Sequence, residues 1–165
     1  MADRRILNLS RRLGEALAAS GWTLAVAESC TGGALCAAIT DIPGSSAYFL
    51  GCVVAYGNDS KTRDLGVTDA LILSDGAVSE SVAMAMAKGA RRRFGAGIGV
   101  GITGIAGPGG GTPEKPVGTV YLGISGGKVR RSHGRRLPGD RKSVRRETVA
   151  WALEELISFI AEIGE

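Results

Sequence analysis

Apolar residues recur along the chain at two spacings, one typical of helices and one typical of buried strands. The N-terminal segment carries them every three or four positions, which predicts an amphipathic helix that ends at Ser20–Gly21. Polar N-caps followed by apolar spacing predict further helices at Ala34–Thr40, near Lys61–Leu65, at Glu80–Phe94 after the cap Ser79, and after the cap Asp140. Short apolar runs predict buried strands at Trp22–Ala27, Leu50–Tyr56, Gly97–Ile102 and Thr119–Ile124.

Helices and strands alternate along most of this predicted order. Val129–Leu137 alternates weakly and is rich in arginine, which is typical of a strand at the edge of a sheet. The order predicts an α/β fold, a three-layer α/β/α sandwich with a mixed, mostly parallel sheet. Because neither a repeat nor a linker interrupts the sequence, we predict a single domain over residues 1–165.

The composition restricts the chemistry more than the fold. The chain has 165 residues, of which 44% are hydrophobic and 22% charged, values ordinary for a soluble globular protein. The single histidine, His133, argues against most metal sites and against histidine-based catalysis. The three cysteines form no Cys-x-x-Cys pair, which favours reduced thiols in a cytoplasmic protein. We therefore predict chemistry without a metal or a cofactor.

One uncharged stretch has the length of a membrane span. Phe94–Pro113 contains 20 residues without a charge, but nine of them are glycine and two are proline. Such a stretch lacks the apolar bulk of a transmembrane helix, so we predict a strand that runs into a loop. The N-terminal residues also lack the continuous apolar run of a signal peptide.

The segment Glu28–Gly33 (Glu-Ser-Cys-Thr-Gly-Gly) links a predicted strand to a predicted helix. In open α/β sheets, ligands bind at the carboxyl ends of strands, where the next helix offers free amides. Ser29 or Thr31 would supply a nucleophilic hydroxyl there, and the amides around Gly32 and Gly33 would form an oxyanion hole or a phosphate cradle. The alternative is that the hydroxyls only cap the helix and the glycines only form the turn. The position at a strand end favours a site.

A nucleophilic hydroxyl needs a base, and histidine is almost absent from this chain. The segment Tyr56–Lys61 follows another predicted strand, and a lysine whose pKa is lowered by burial can replace histidine as the base. The competing interpretation is a solvated lysine in a turn. Without a histidine partner, Cys30, Cys36 and Cys52 are better explained as structural thiols than as nucleophiles.

A glycine- and proline-rich segment extends from Gly99 to Pro116. Gly99-x-Gly101-x-x-Gly104 formally matches the dinucleotide fingerprint, but these glycines fall within a predicted strand and no helix follows. We therefore reject NAD binding here. A glycine-rich loop after a strand still suits contact with phosphate or ribose, with Thr103 as an oriented hydroxyl. The alternative is a long flexible turn.

Basic residues cluster near the C-terminal end of the chain. This tract contains one acidic residue, no interleaved aromatic residue and no nucleic-acid motif, so a solvated strand edge and helix face are favoured over a nucleic-acid surface. Arg141, near the predicted start of the last helix, is best placed for an anionic ligand. The tract consists of Arg130, Arg131, Arg135, Arg136, Arg141, Lys142, Arg145 and Arg146.

Several of these motifs together resemble the CinA C-terminal domain family. The resemblance rests on Ala27–Gly33, Asp41–Ser46, Gly51–Tyr56 with Lys61, Gly76–Glu80 and above all the long glycine-proline motif Thr103–Thr119. It implies an α/β/α fold, a homodimer and no metal. Stand-alone members resemble nicotinamide mononucleotide (NMN) deamidases, which implies hydrolysis of the NMN carboxamide to nicotinic acid mononucleotide and ammonia. Many members also carry an N-terminal molybdopterin-binding-like domain that this sequence does not show.

The resemblance and the residue chemistry lead to the same candidate site. We predict that Ser29 is the nucleophile, that Lys61 is its base and that Tyr56 orients or relays the proton, with Thr31 as a rival nucleophile. Amides near Thr31–Gly33 are predicted to bind the oxyanion. The predicted substrate-binding residues are Gly32, Gly33, Asn58, Thr103, Gly104, Ala106, Gly107 and Arg141.

Two functions of other classes compete with this hypothesis. The same loops could bind a nucleotide without turnover, as a regulatory module, and the basic tract could serve a DNA-associated competence factor. Release of ammonia from NMN distinguishes the enzyme from the regulatory module. Steeply salt-dependent binding to DNA would favour the competence factor.

Overall fold

The computed structural model describes residues 3–164. It contains the helices α1 (Arg4–Ser20), α2 (Ala34–Thr40), α3 (Asn58–Leu65), α4 (Asp69–Asp75), α5 (Glu80–Phe94) and α6 (Arg141–Ile163). The strands are β1 (Leu24–Glu28), β2 (Phe49–Val54), β3 (Ile98–Gly104), β4 (Thr119–Gly126) and β5 (Val129–Arg136). A short 3-10 helix, Ser45–Ala47, precedes β2.

The strands form one mixed sheet in the order β2-β1-β3-β4-β5. β1 pairs in parallel with β2 and β3, whereas β4 is antiparallel to both β3 and β5. Helices α1, α2 and α6 contribute to the core on one face, and α3 to α5 contribute on the other. The predicted three-layer α/β/α sandwich is confirmed, with β4 as the reversed strand.

The interior strand β1 is buried on both faces, which explains why its first four residues are all apolar. Leu24 and Val26 pack on the side of α1 and α6, while Ala25 and Ala27 pack on the side of α5. Successive side chains of a strand point to opposite faces of the sheet. In β1 the larger of these four side chains therefore face the layer of α1 and α6, and the alanines face α5.

Strand β3 carries this asymmetry further. A Cβ atom at Gly99 would lie 2.1 Å from the carbonyl oxygen of Ala87, and one at Gly101 would lie 2.2 Å from that of Ala83. Both carbonyls belong to α5, so these glycines let the backbone of that helix lie directly on the sheet. The Gly-x-Gly pattern thus serves helix packing, in agreement with the rejection of a dinucleotide fingerprint.

Adding a single methyl group at this contact should destabilise the protein. We expect Gly101→Ala to lower the free energy of unfolding by about 3 kcal/mol, because the carbonyl of Ala83 is backbone and cannot rotate away. Urea denaturation of both proteins measures the difference. Gly109→Ala is the matched control, since a Cβ there meets nothing within 4 Å. Equal stability of the two variants would contradict the close packing of α5.

The structure also differs from the predicted elements in places. Helix α4 was not predicted; it follows the cap Thr68, whose side chain accepts a hydrogen bond from the amide of Leu71. Helix α3 begins at Asn58 rather than near Lys61. The caps Ser79 and Asp140 are confirmed, because each side chain accepts a hydrogen bond from the first turn of its helix.

Two further sequence predictions can be compared with the structure. The uncharged stretch is a strand followed by a loop, as predicted, because β3 ends at Gly104 and β4 begins only at Thr119. Across residues 3–164, none of the helices combines the length and the apolar character that crossing a membrane requires.

Candidate active site

The carboxyl ends of β1, β2 and β3 meet at one edge of the sheet, since these strands are parallel. A cavity of about 270 Å³ opens there. Nine of the predicted site residues line it, whereas Thr31, Gly32 and Gly33 do not. The nine are Ser29, Tyr56, Asn58, Lys61, Thr103, Gly104, Ala106, Gly107 and Arg141.

Ser29 and Lys61 are in direct contact inside this cavity. The Nζ atom of Lys61 lies 3.1 Å from the Oγ atom of Ser29, and it also donates to the carbonyl oxygens of Ala55 at 3.1 Å and Tyr56 at 3.2 Å. Lys61 is 2% exposed and Ser29 is 7% exposed. Ser29 follows β1 and Lys61 lies in α3, so residues 32 positions apart in sequence form a hydroxyl–amine pair.

The surroundings of Lys61 favour its neutral form. Burial lowers the pKa of its amine below the usual value, and only a weaker interaction with Cys30 opposes that shift. None of the described residues that line the cavity is an aspartate or a glutamate. A lysine in such surroundings can accept a proton from a neighbouring hydroxyl group, which is the property of a general base.

The structure separates the two predicted nucleophiles. Thr31 is fully buried, and its hydroxyl oxygen has no hydrogen-bond partner among the described residues. It also does not line the cavity. Ser29, by contrast, lies in the cavity and contacts an amine. The geometry therefore favours Ser29 over Thr31 as the nucleophile.

The thiol of Cys30 also lines the cavity, but its surroundings suppress the reactive thiolate. It is 5% exposed, and burial raises its pKa to about 11. Thiolate, not thiol, is the nucleophilic form of cysteine. This agrees with the interpretation of Cys30 as a structural thiol.

The amides around the turn are distributed differently from the prediction. The amide of Gly32 donates to the carbonyl oxygen of Ser29 at 3.0 Å, and that of Gly33 donates to the carboxylate of Glu28 at 3.1 Å. Neither is free to bind an oxyanion. The amide of Cys30 has no acceptor among the described residues, and Cys30 lines the cavity. It directly follows Ser29, the predicted nucleophile, and acyl-transfer hydrolases commonly have an oxyanion donor at that position.

The phenol of Tyr56 contacts Arg141 and not Lys61, which is the partner that a proton relay would need. Its oxygen lies 2.6 Å from Nη2 of Arg141, while Lys61 contacts Tyr56 only through the backbone carbonyl. The predicted relay therefore lacks the contact that it needs. Arg141 also donates to the carbonyl oxygen of Gly107 at 2.9 Å, so it links the end of β2 to the glycine-rich loop.

Removing the phenolic oxygen tests this placement. We expect Tyr56→Phe to change kcat less than about threefold and to raise KM up to about tenfold, because the lost hydrogen bond orients Arg141 rather than a proton. Steady-state kinetics with the amide substrate give both constants. A fall in kcat of two orders of magnitude or more would instead support a role of Tyr56 as a proton relay.

The glycine-rich loop forms the second wall of the cavity. The hydroxyl group of Thr103 donates to the carbonyl oxygen of Ala77 at 2.7 Å, so it fastens the segment before α5 to β3. Gly107 has a φ of 81°, which favours glycine at this position. The amides of Ala106 and Gly107 have no acceptor among residues 3–164, so they can contact a ligand.

Sequence reasoning missed several residues of the cavity. Ala77 and Val78 form an apolar part of its wall, next to Ile105 in the predicted substrate-binding loop. The motif Gly76–Glu80 was noted for the helix cap Ser79 and for the family resemblance, but not as part of the site. Arg145 was noted only as part of the basic tract, yet it donates to the carbonyl oxygen of Thr31 at 2.9 Å.

Three residues of the basic tract, Arg131, Arg135 and Arg146, contact acidic or aromatic side chains of other elements. Arg131 contacts the carboxylates of Glu155 and Glu162, and Arg135 lies 4.7 Å from the ring centre of Trp151. Arg146 lies 3.8 Å from the carboxylate of Asp3. These pairings agree with a strand edge and a helix face, and they weaken the case for a nucleic-acid surface.

Comparison with known proteins supports one family. The CinA C-terminal domain family matches residues 7–160. The nicotinamide-nucleotide amidohydrolase PncC of Pseudomonas putida is 47% identical over 157 residues, which cover 95% of this chain and 98% of that protein. A CinA-like protein of Gemmatimonas aurantiaca is 55% identical over 144 residues, which cover 87% of this chain but 34% of that protein. The chain thus spans about a third of the longer CinA-like relatives.

A solved structure gives the same result. The competence/damage inducible protein CihA from Agrobacterium tumefaciens superposes with a TM-score of 0.93 at 41% identity, covering 96% of this chain and 97% of that one. A CinA superfamily protein from Klebsiella pneumoniae superposes with a TM-score of 0.92 at 33% identity, covering 95% of this chain and 98% of that one. The chain therefore belongs to the CinA C-terminal domain family.

Proposed function

We propose that the chain is a nicotinamide-nucleotide amidohydrolase, which hydrolyses the carboxamide of NMN to nicotinic acid mononucleotide and ammonia. The observation that carries this proposal is the contact between Ser29 and a buried lysine, Lys61, in a cavity at the strand ends. A relative named for the same activity, 47% identical over nearly the full length of both chains, supports it.

In the first half of the reaction, neutral Lys61 accepts the proton of Ser29 as Oγ attacks the amide carbon. The carbonyl oxygen becomes an oxyanion, which the amide of Cys30 and an amide of the glycine-rich loop stabilise; one such donor contributes about 2.7–4 kcal/mol. The protonated Lys61 then gives its proton to the departing nitrogen. Ammonia leaves, and an acyl ester remains on Ser29.

In the second half, water replaces ammonia in the cavity. Lys61, neutral again, accepts a proton from that water as its oxygen attacks the ester carbon. The tetrahedral intermediate collapses, and the proton on Lys61 returns to Oγ of Ser29. The serine hydroxyl is restored, and the product is a carboxylic acid that loses its proton to solvent and leaves as the carboxylate.

A second cavity next to the first suits the phosphate group of a mononucleotide. It has a volume of about 680 Å³ and shares Ala106 and Arg141 with the first cavity. Lys142 and Arg145 also line it. The three cations outnumber the one carboxylate in its lining, Asp140, which favours an anionic group. We therefore assign the pyridine ring to the cavity of Ser29 and the phosphate to this basic one.

An ammonia-release assay tests the function. NMN, nicotinamide and NAD are supplied separately to enzyme that has been dialysed against EDTA, because the described residues form no group of three or more side chains that could hold a metal ion. We expect ammonia from NMN and much less from nicotinamide, which lacks the phosphate. NMN binding without ammonia would favour the regulatory module instead. Loss of activity on chelation, restored by zinc, would overturn the metal-free reaction.

We also propose that the chain is a cytoplasmic homodimer. The three free cysteines support the compartment. Two large apolar side chains remain exposed on the edge strand β2, Leu50 at 42% and Val54 at 47%, which supports a covered surface. We expect a dimer in analytical ultracentrifugation at micromolar concentration. A monomer at that concentration would contradict the assembly.

A further inference from the structure

Glu28, the last residue of β1, places an acidic side chain in the interior of the protein. It is fully buried and lies directly before Ser29 in the sequence. Its carboxylate is not within salt-bridge distance of any lysine or arginine among the described residues. A buried carboxylate is costly unless hydrogen bonds compensate the lost hydration.

The compensating hydrogen bonds come from the start of α2. The carboxylate accepts from the amides of Gly33 at 3.1 Å, Leu35 at 3.1 Å and Cys36 at 2.8 Å. The thiol of Cys52 in β2 lies 3.7 Å from the same group. The amides at the beginning of a helix lack partners within the helix, and here the N-cap is Gly33, which has no side chain to satisfy them. Glu28 therefore caps α2 from the preceding strand.

The hydrogen bonds of Glu28 close a short turn that contains Ser29, the proposed nucleophile. Residues 29–32 lie between the strand end and the first amide that Glu28 binds. The segment is also held at its start, because the amide of Ser29 donates to the carbonyl oxygen of Ile102 in β3 at 3.0 Å. Gly32 and Gly33 have φ values of 59° and 94°, which the tight return of the chain requires.

We propose that Glu28 is a positioning residue for the reaction, whose carboxylate fixes the turn so that Ser29 faces Lys61 and the amide of Cys30 is the donor left for the oxyanion. The inference rests on the proposed function. Since Glu28 occupies the amides of the helix start, it also keeps the substrate phosphate away from α2 and leaves the basic cavity beside α6 to bind it.

Glu28→Gln separates positioning from electrostatics. Glutamine has nearly the same size, but its amide nitrogen would face an N–H group of α2, so the three hydrogen bonds cannot all persist. We expect kcat to fall about 100-fold, as when one oxyanion donor is lost, with KM changed less than about threefold. The pH dependence should keep its midpoint, because burial, with a smaller opposing interaction from Cys30, sets the pKa of Lys61.

The matched control is Thr68→Ala, which removes the side-chain cap of α4 away from the cavity. It should lower thermal stability, as a lost cap does, and leave kcat unchanged. If Glu28→Gln lowers stability but keeps wild-type kcat, the positioning role is wrong and Glu28 is only a helix cap. A large shift of the pH midpoint would equally overturn positioning in favour of a charge effect on Lys61.

Hydrogen exchange of the wild-type protein keeps the inference testable if Glu28→Gln does not fold. The amides of Gly33, Leu35 and Cys36 should be protected through their bonds to the carboxylate. Exchange at the rate of exposed loop amides would overturn the proposal. Absence of ammonia release by the wild-type protein would instead overturn the proposed function, while the exchange pattern would still test the cap.

Discussion

Ser29→Ala is expected to lower kcat for NMN hydrolysis by roughly 10⁴-fold or more, while NMN still binds. The acyl ester can form only on a hydroxyl that reaches the substrate, and Ser29 Oγ is the hydroxyl in contact with Lys61. Binding should persist because Arg141, Lys142 and Arg145, the proposed phosphate contacts, all line the adjoining cavity, to which Ser29 does not contribute. Ammonia release gives the rate, and isothermal titration calorimetry gives the affinity.

The matched control for this variant is Thr31→Val. It removes the rival hydroxyl while nearly keeping the side-chain volume, and that hydroxyl has no partner to lose. Turnover should stay within about threefold of the wild-type value. Retained activity in Ser29→Ala together with lost activity in Thr31→Val would make Thr31 the nucleophile.

Lys61→Arg is expected to lose turnover to roughly the same extent as Ser29→Ala, since a guanidinium group stays protonated and cannot accept the proton of the serine. The double variant Ser29→Ala, Lys61→Arg should be little worse than either single variant, because the two groups act as a unit. Near-normal turnover of Lys61→Arg would mean that Lys61 only contributes a positive charge.

The pH dependence of the wild-type enzyme follows from the same pair. Burial lowers the pKa of Lys61, so the neutral amine becomes available at a lower pH than for a solvated lysine. The value of kcat/KM should therefore fall as the pH drops below this pKa and level off above it. The midpoint should lie below the reference pKa of about 10.4. A midpoint at or above that reference would contradict a buried general base.

The sequence was sufficient to predict the pairing of Ser29 with Lys61. Both follow apolar runs, and parallel strands bring their carboxyl ends to one edge, so the two segments had to meet. The same reasoning predicted the layers of the fold, because the runs of β1 and β3 are too apolar for a half-exposed sheet.

The hydrogen bonds within the site could not be predicted in this way. The pairing of Tyr56 with Arg141 joins residues 85 positions apart, and no periodicity specifies it. The cap of α2 comes from Glu28 in the preceding strand rather than from the adjacent residue, so cap rules based on sequence neighbours place the free amides at the glycines. Side-chain partners of this kind depend on the assembled structure.

Among the described residues, none in the wall of the cavity around Ser29 and Lys61 is acidic. The proposed reaction converts a neutral amide into a carboxylate. The electrostatic field of the cavity therefore favours the product over the substrate. At a pH at which Lys61 is protonated, the newly formed carboxylate pairs with its ammonium group and with the nearby cations. Product release would then be slow below the pKa of Lys61 and become faster as the lysine loses its proton.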